Sequence, residues 1–299
     1  MQLDIFIRNI SLYADALSIA IIETDICTCK QGGIFLKTIK NYVRVQSLEE
    51  AYTLNQKKAN KIIGGMLWLK MQGGHLQTAI DLCDLNLNTI EETSEEFIFG
   101  TMTTLRQLEQ HKAFNAFCQN AAQKAVKDIV GVQFRNLANI GASLWARFGF
   151  SDVLTLFLAL DAEVELYKAG RIPLSQFVNL PFDNDILVRI MVKKSNCAIA
   201  YQSVRIQRTD FPVLNCAVSC IDKKMRAVIG ARPGKAMVFF DENHLLDNGI
   251  TEESAKSFGK YVAEQVTTQS NVRGTREYRR QLAEVLTTRC TMELRGNEN

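Results

Sequence analysis

Two glycine-centred segments hold the residue types that could bind an anion. Lys61-Ile-Ile-Gly-Gly-Met-Leu-Trp68 and Asn139-Ile-Gly-Ala-Ser143 each place small residues directly after an apolar run, and Phe150-Ser151-Asp152 follows the second. Read as turns at strand ends, both would let the backbone bend sharply and point several N–H groups at one anion. A single Gly-Gly pair ends many strands and says little. Two such turns, with an acidic residue shortly after the second, predict a diphosphate gripped from two sides and so a nucleotide cofactor. Other chemistry lacks the residues. The chain has no G-x-S-x-G, no H-E-x-x-H, no Walker lysine and no G-x-G-x-x-G opening a helix. Its three histidines, His75, His111 and His244, are far apart, and no second pair of cysteines lies at zinc-site spacing. The reactivity is therefore expected to belong to the cofactor.

The rest of the chain must position these turns. With 299 residues, 47% hydrophobic and 22% charged, it can build two or three domains with sizeable cores. A net charge of +3 without a Lys/Arg-rich run gives no reason to expect nucleic acid. No apolar stretch approaches the roughly 18 residues of a membrane span, and a signal peptide is not expected. The eight cysteines are scattered. Cys216 and Cys220 fall on one face of a strand as small buried hydrophobes, and a reducing cytoplasm suits such thiols best. Residues 1–33 lack any clear period. They are expected to be an untranslated leader with the true start at Ile34 to Leu36, or else a partly helical extension.

Ser47-Leu-Glu-Glu50 reads as a capping box opening a helix. Ile62-Ile63 and Ala79 to Leu82 read as strands, which makes residues 34–88 a small α/β unit. A second unit, 89–175, opens with the strand Phe97-Ile-Phe-Gly100 and continues with a helix from Leu105. Further helix is expected from Phe114 to Val130, a half-wet strand at Val164 and Leu166, and a turn at Gly170-Arg-Ile-Pro173. Residues 185–299 change character: four strand-like runs from Ile186, with a polar turn at Asp222-Lys223-Lys224, then two helices. Thr251 caps the first helix. The second is expected to bury Tyr278, Leu282, Val285 and Leu286. Strands followed by helices indicate a separate α+β domain.

These segments together resemble the flavin subunit of the molybdenum hydroxylases, the xanthine dehydrogenase and carbon monoxide dehydrogenase group. Tyr42-Val-Arg-Val-Gln-Ser-Leu-Glu-Glu-Ala51 resembles "Y-x-x-P-x-S-L-x-E-A", Ile62-Ile-Gly-Gly65 the first FAD loop, and Phe99-Gly-Thr-Met-Thr-Thr104 "I-G-A-x-T-T". Val132-Gln-Phe-Arg-Asn-Leu-Ala-Asn-Ile-Gly141 is similar to "Q-I-R-N-V-A-T-I-G". Gly230-Ala-Arg-Pro233 and Gly274 to Arg280 look like the group's C-terminal flavoprotein domain. The resemblance runs from about Phe35 to Leu294. It implies an α+β fold, a two-subdomain FAD-binding domain of the PCMH type followed by an antiparallel sheet with helices. It also implies roles. The loop of Ile62, Ile63, Gly64, Gly65, Met66, Leu67 and Trp68 and the loop of Asn139, Ile140, Gly141, Ala142 and Ser143 would hold the FAD diphosphate. Asp152 would bond the cofactor's polar groups, and Leu187 and Tyr201 would pack near the isoalloxazine ring. The sequence departs from the group at Met66-Leu67, at Ala142-Ser143, and at Trp145, Arg147 and Phe148, where small residues are usual. Arg147 would either pair with phosphate or lie on the surface. A branched side chain at Gly64 or Gly141 would be expected to block the diphosphate while sparing the fold.

The implied function is electron transfer. A molybdopterin-binding large subunit oxidises a heterocycle such as a purine, a 2Fe-2S small subunit relays electrons, and FAD on this chain passes them to NAD or another acceptor. Flavin alone is expected here, without an iron–sulfur insert of its own. Two other readings are a flavin-free scaffold with degraded loops and a stand-alone FAD reductase of the cell-wall precursor type. The latter needs a proton donor that the sequence does not offer.

Overall fold

A computed structural model describes residues 37–295. The expectations for residues 1–33 lie outside the described residues.

The described residues form three sheets, one per structural unit. In the first unit, strands β1 (Thr38–Arg44), β2 (Asn60–Ile63) and β3 (His75–Asp81) run parallel in the order β1-β3-β2. Helix α1 (Leu48–Asn55) makes the crossover between β1 and β2. Ser47 accepts the Glu50 N–H at 3.1 Å as expected of a cap. Glu50 returns its carboxylate to the N–H of Gln46 at 2.8 Å, one residue beyond the usual capping-box partner. Residues after β2 run into a short 3₁₀ turn, Leu69–Met71.

The second unit is a five-stranded antiparallel sheet in the order β4-β5-β8-β6-β7, with β4 (Ile90–Glu92), β5 (Glu96–Gly100), β6 (Glu163–Leu166), β7 (Gly170–Pro173) and β8 (Leu187–Lys193). Val164 and Leu166 are buried and their neighbours half-exposed, as the alternation predicts. Gly170–Pro173, expected as a turn, is the strand β7, because it pairs with β6 from Glu163–Pro173 to Leu166–Gly170. Helices α2 (Leu105–Gln110), α3 (Lys112–Phe117), α4 (Ala121–Val126), α5 (Val132–Arg135), α6 (Ile140–Trp145), α7 (Asp152–Ala159) and α8 (Leu174–Phe177) complete this unit. The helix expected from Phe114 to Val130 is broken at Gln119 and Asn120, whose φ of 45° and 62° are left-handed and cannot continue an α-helix.

β8 was expected to belong with the last third. It hydrogen-bonds instead to β5 and β6, so the change of unit falls after Lys193, not before residue 185. The third unit is then the antiparallel sheet β12-β11-β10-β9, with β9 (Cys197–Arg205), β10 (Pro212–Ile221), β11 (Lys224–Gly230) and an unforeseen β12 (Met237–Phe240). The polar turn between β10 and β11 is tight: Asp222 and Lys223 both take positive φ, 48° and 67°, as a primed hairpin turn requires.

Helices α9 (Glu252–Gln265) and α10 (Arg276–Arg295) cover this last sheet. The stripe on α10 differs from expectation. Tyr278 is exposed and Val285 half-buried, whereas Leu282, Ala283, Leu286, Cys290 and Leu294 are buried. β10 is buried on both faces. Leu214, Cys216 and Val218 join the core under α9 and α10. Ala217 joins the core of the second unit, and the Ser219 hydroxyl donates to the Ala159 carbonyl at the end of α7. The flavin-type unit and the C-terminal unit thus share β10 as a common wall.

Candidate functional site

The two glycine loops meet. A Cβ on Gly64 would lie 2.3 Å from Asn139 Nδ2, and one on Gly65 would lie 2.0 Å from the Leu137 carbonyl oxygen. Their lack of a side chain is what lets the first loop press against the second. Ile62 and Ile63 belong to β2, paired with Ile80 and Asp81. Beyond them the chain turns through Met66 at a left-handed φ of 59°. The backbone N–H groups of Gly64, Gly65, Met66, Leu67 and Trp68 have no acceptor among the described residues. Such a run of unengaged backbone donors is the kind of segment that can face an anion.

The second loop is built differently. It is not a strand end but the start of α6, with Asn139 as the cap: its Oδ1 accepts the Ala142 N–H at 2.9 Å. The Ile140 N–H goes to the Thr103 carbonyl at 2.8 Å and that of Gly141 to Thr101 at 2.9 Å. Ser143 gives its N–H to the Asn139 carbonyl at 3.2 Å and its hydroxyl to the same oxygen at 2.8 Å. The N–H groups of Ile140 to Ser143, expected from the sequence to donate to a diphosphate, all have acceptors within the protein. These groups are spent inside the protein, and the loop serves as a backing for the first. Gly141 is required by contact as well, since a Cβ there would fall 1.7 Å from Thr101 Oγ1.

Behind the second loop a buried ion pair fixes the approach. Arg135, at the end of α5, donates through Nε and Nη2 to Glu109 at 2.8 and 3.3 Å, and through Nη1 to the Ile129 carbonyl. Burial alone would raise the Glu109 carboxyl, but bonds from Arg135 and Arg106 outweigh it and hold it below the usual carboxylate range.

Trp68 closes the first loop in a cluster of rings. Phe211 stacks on it at 5.6 Å and 26°, and Phe150 and Phe148 lie at 5.9 and 6.2 Å. Phe211 precedes β10, so the cluster joins all three units. Arg147, expected on phosphate or at the surface, is in neither place. It is buried, its guanidinium 4.1 Å from the centre of Phe177 and 4.5 Å from that of Phe182, and it donates to the Leu180 carbonyl. Burial lowers its pKa.

Asp152, Leu187 and Tyr201 are all buried. The Asp152 carboxylate accepts from the Tyr201 hydroxyl, from Asn215 Nδ2 at 2.9 Å and from Arg205 Nη2 at 2.8 Å. Asp152, expected to bond the cofactor's polar groups, takes these three protein donors and joins α7 to β9 and β10. Tyr201 is 2% exposed, and burial, then the Asp152 charge, pushes its hydroxyl well above the ordinary tyrosine range. Leu187, opposite Leu166 in the sheet, packs in the same core as Tyr201. Neither ring nor leucine is placed at an open face. Arg205, Asn215 and Phe211 were not singled out from sequence. Asn215 carried a signal: a polar residue inside an otherwise apolar strand must have a buried partner.

The sequence profile described as "FAD binding domain in molybdopterin dehydrogenase" matches residues 37–194, and that described as "CO dehydrogenase flavoprotein C-terminal domain" matches residues 199–294. The "Uncharacterized protein YgfM" of Escherichia coli strain K12 is 24% identical over 254 residues, 83% of this chain and 93% of that protein. Among solved structures, carbon monoxide dehydrogenase from Hydrogenophaga pseudoflava superposes with a TM-score of 0.75 at 21% identity, over 84% of this chain and 95% of that one. Quinoline 2-oxidoreductase from Pseudomonas putida 86 gives 0.76 at 18% identity, over 86% and 97%.

Proposed function

This chain belongs to the FAD-binding family of the molybdopterin dehydrogenases, and from that premise we propose that it is the electron-transfer flavin subunit of a molybdenum hydroxylase complex of the xanthine dehydrogenase kind. One observation supports this reading most: the five consecutive backbone N–H groups from Gly64 to Trp68 have no acceptor among the described residues. That donor set suits a diphosphate, and the two glycines let its loop press against Asn139 and Leu137. Bound FAD would supply exchange of electrons between one-electron carriers and a two-electron acceptor. The chain's own part is to bind and orient it. Gly64 to Trp68 hold the diphosphate, Asn139 and Leu137 brace that loop from behind, and the Asp152 network sets the C-terminal unit against it.

In this proposal a 2Fe-2S small subunit delivers electrons from a molybdopterin-binding large subunit, and NAD or another acceptor receives them. The described residues contain no group of three or more His, Cys, Asp and Glu arranged to hold a metal. The described cysteines are free thiols, and no helix among the described residues is long and apolar enough to cross a membrane. We place the complex in the cytoplasm, where free thiols such as these persist. Purification from the native host, with an absorbance spectrum and identification of copurifying subunits, tests the whole reading. A yellow complex that releases its colour on acid precipitation is expected. A colourless complex with the same subunits would favour a flavin-free scaffold instead, the alternative that the fully engaged N–H groups of Ile140 to Ser143 speak for.

A further inference from the structure

Trp68 occupies an unusual place for a large aromatic residue. It ends the run of N–H groups that has no acceptor among the described residues, and it sits where three units meet. Rings of Phe148, Phe150 and Phe211 contact the indole, yet 39% of the residue remains exposed. Phe211 is held in turn: Arg273 lies 5.1 Å over it and bonds Asp210 at 2.8 Å. The indole is thus supported by rings on one side and open over part of its area. A dinucleotide carries a planar ring on each side of its diphosphate, so an aromatic wall next to a diphosphate cradle is within reach of one of them. The loop's other side chains, Met66 and Leu67, offer the ligand no hydrogen bond, which leaves stacking as the contribution side chains can make here.

We propose that Trp68 is the stacking residue of the cofactor site, its indole forming the wall for one planar ring of the dinucleotide, with Phe148, Phe150 and Phe211 as its support. This rests on the flavin reading above and adds to it a side chain that contributes binding energy. Loss of the ring weakens binding, because stacking of a planar base on an aromatic side chain contributes appreciably and tolerates different ring systems. Phenylalanine at this position keeps the stack.

The test uses the full chain stripped of flavin, and its two tryptophans supply the signal. Trp145 packs elsewhere, against Phe177, so it reports as an internal control. Titration with FAD should quench the wild-type indole emission. Trp68→Phe should lose most of that quenching yet bind FAD within about threefold of wild type. Trp68→Ala should bind roughly 5- to 100-fold more weakly and release the fluorescence of the bound flavin, with a thermal melt reporting whether it is folded. If it fails to fold, the Trp68→Phe titration carries the test. FMN and ADP, titrated separately, tell which ring takes the stack: quenching by either supports the proposal and names the ring. FAD bound to wild type with unmoved indole emission, or with equal affinity and flavin emission in Trp68→Ala, overturns it while leaving the flavin reading intact. A wild-type chain that binds no FAD overturns both.

Discussion

Arg205 Nη2 lies 2.8 Å from Asp152 Oδ2, and both side chains are more than nine-tenths buried. This pair spans the seam between α7 of the second unit and β9 of the third, so it acts as a fastener of the C-terminal unit more than as a cofactor contact. Removing one partner of a buried pair strands the other's charge. Asp152→Ala is expected to cost about 3–5 kcal/mol, and Tyr201→Phe, which leaves the ion pair in place, about 0.5–1.5 kcal/mol. Thermal or denaturant unfolding measures both. The folded Asp152→Asn protein should hold FAD within about threefold of wild type, while a tenfold loss, about 1.4 kcal/mol, with unchanged stability would return the carboxylate to the cofactor.

The glycines make a second expectation, opposite to the one their sequence suggests. A side chain at Gly65 would meet the Leu137 backbone carbonyl at 2.0 Å, and one at Gly141 would meet Thr101 Oγ1 at 1.7 Å and its carbonyl at 2.6 Å. Backbone cannot swing aside as the end of a side chain can. Gly65→Ala and Gly141→Ala are therefore expected to lower the stability of the protein itself, by roughly 1–3 kcal/mol, and to lose flavin as a consequence. Gly131→Ala is the control: its Cβ would find only Gln133 Oε1 at 3.4 Å, and a change within about 0.5 kcal/mol is expected. Stable Gly65→Ala and Gly141→Ala proteins without flavin would put the diphosphate, not the loop packing, at those positions.

Local pattern carried the strands well and the site less well. β9 to β11 are short apolar runs rich in β-branched residues, and Asp222-Lys223 is a turn by composition, so both could be read directly. The run Asp152–Ala159 could not, because every residue of it is buried and a helix buried all round has no periodicity to betray it. Asn139 before Ile-Gly-Ala-Ser did carry a helix-cap signal, which the apparent analogy with the first glycine turn concealed. The partners of Asp152 are 49, 53 and 63 residues away, and no local spacing encodes such a meeting. The glycine loops were legible as loops; which of their N–H groups are engaged was not, since that depends on Thr101 and Thr103 arriving from another strand end.

Arg147 offers a test that separates charge from shape. Its guanidinium lies between Phe177 and Phe182 and reaches the Leu180 carbonyl. Lysine preserves the charge but has no planar face to lay against the rings. Arg147→Lys is expected to destabilise the protein by about 1–2 kcal/mol with no change in FAD affinity once folded. A loss of FAD binding with unaltered stability would instead indicate a phosphate contact.

The last expectation concerns acid. In the folded protein Glu109 titrates below its ordinary value of 4.5, because the bonds from Arg135 and Arg106 outweigh the opposing effect of burial. A carboxyl with a depressed folded pKa binds fewer protons folded than unfolded, so its contribution to stability is present above the unfolded value. It is lost as the pH falls through 4.5 towards the folded value. Glu109→Gln should therefore be markedly less stable than wild type near neutral pH, about 3–5 kcal/mol if Arg135 is left uncompensated. The gap should narrow as the pH drops below about 4.5, where the wild-type carboxyl in the unfolded chain is protonated too. Because Arg135 carries the segment that leads to Leu137 and Asn139, the same variant should also loosen the first glycine loop. Paired melts of the two proteins between about pH 7 and pH 3.5 measure this, and a gap that stays constant across the range would remove the Glu109–Arg135 pair as its source.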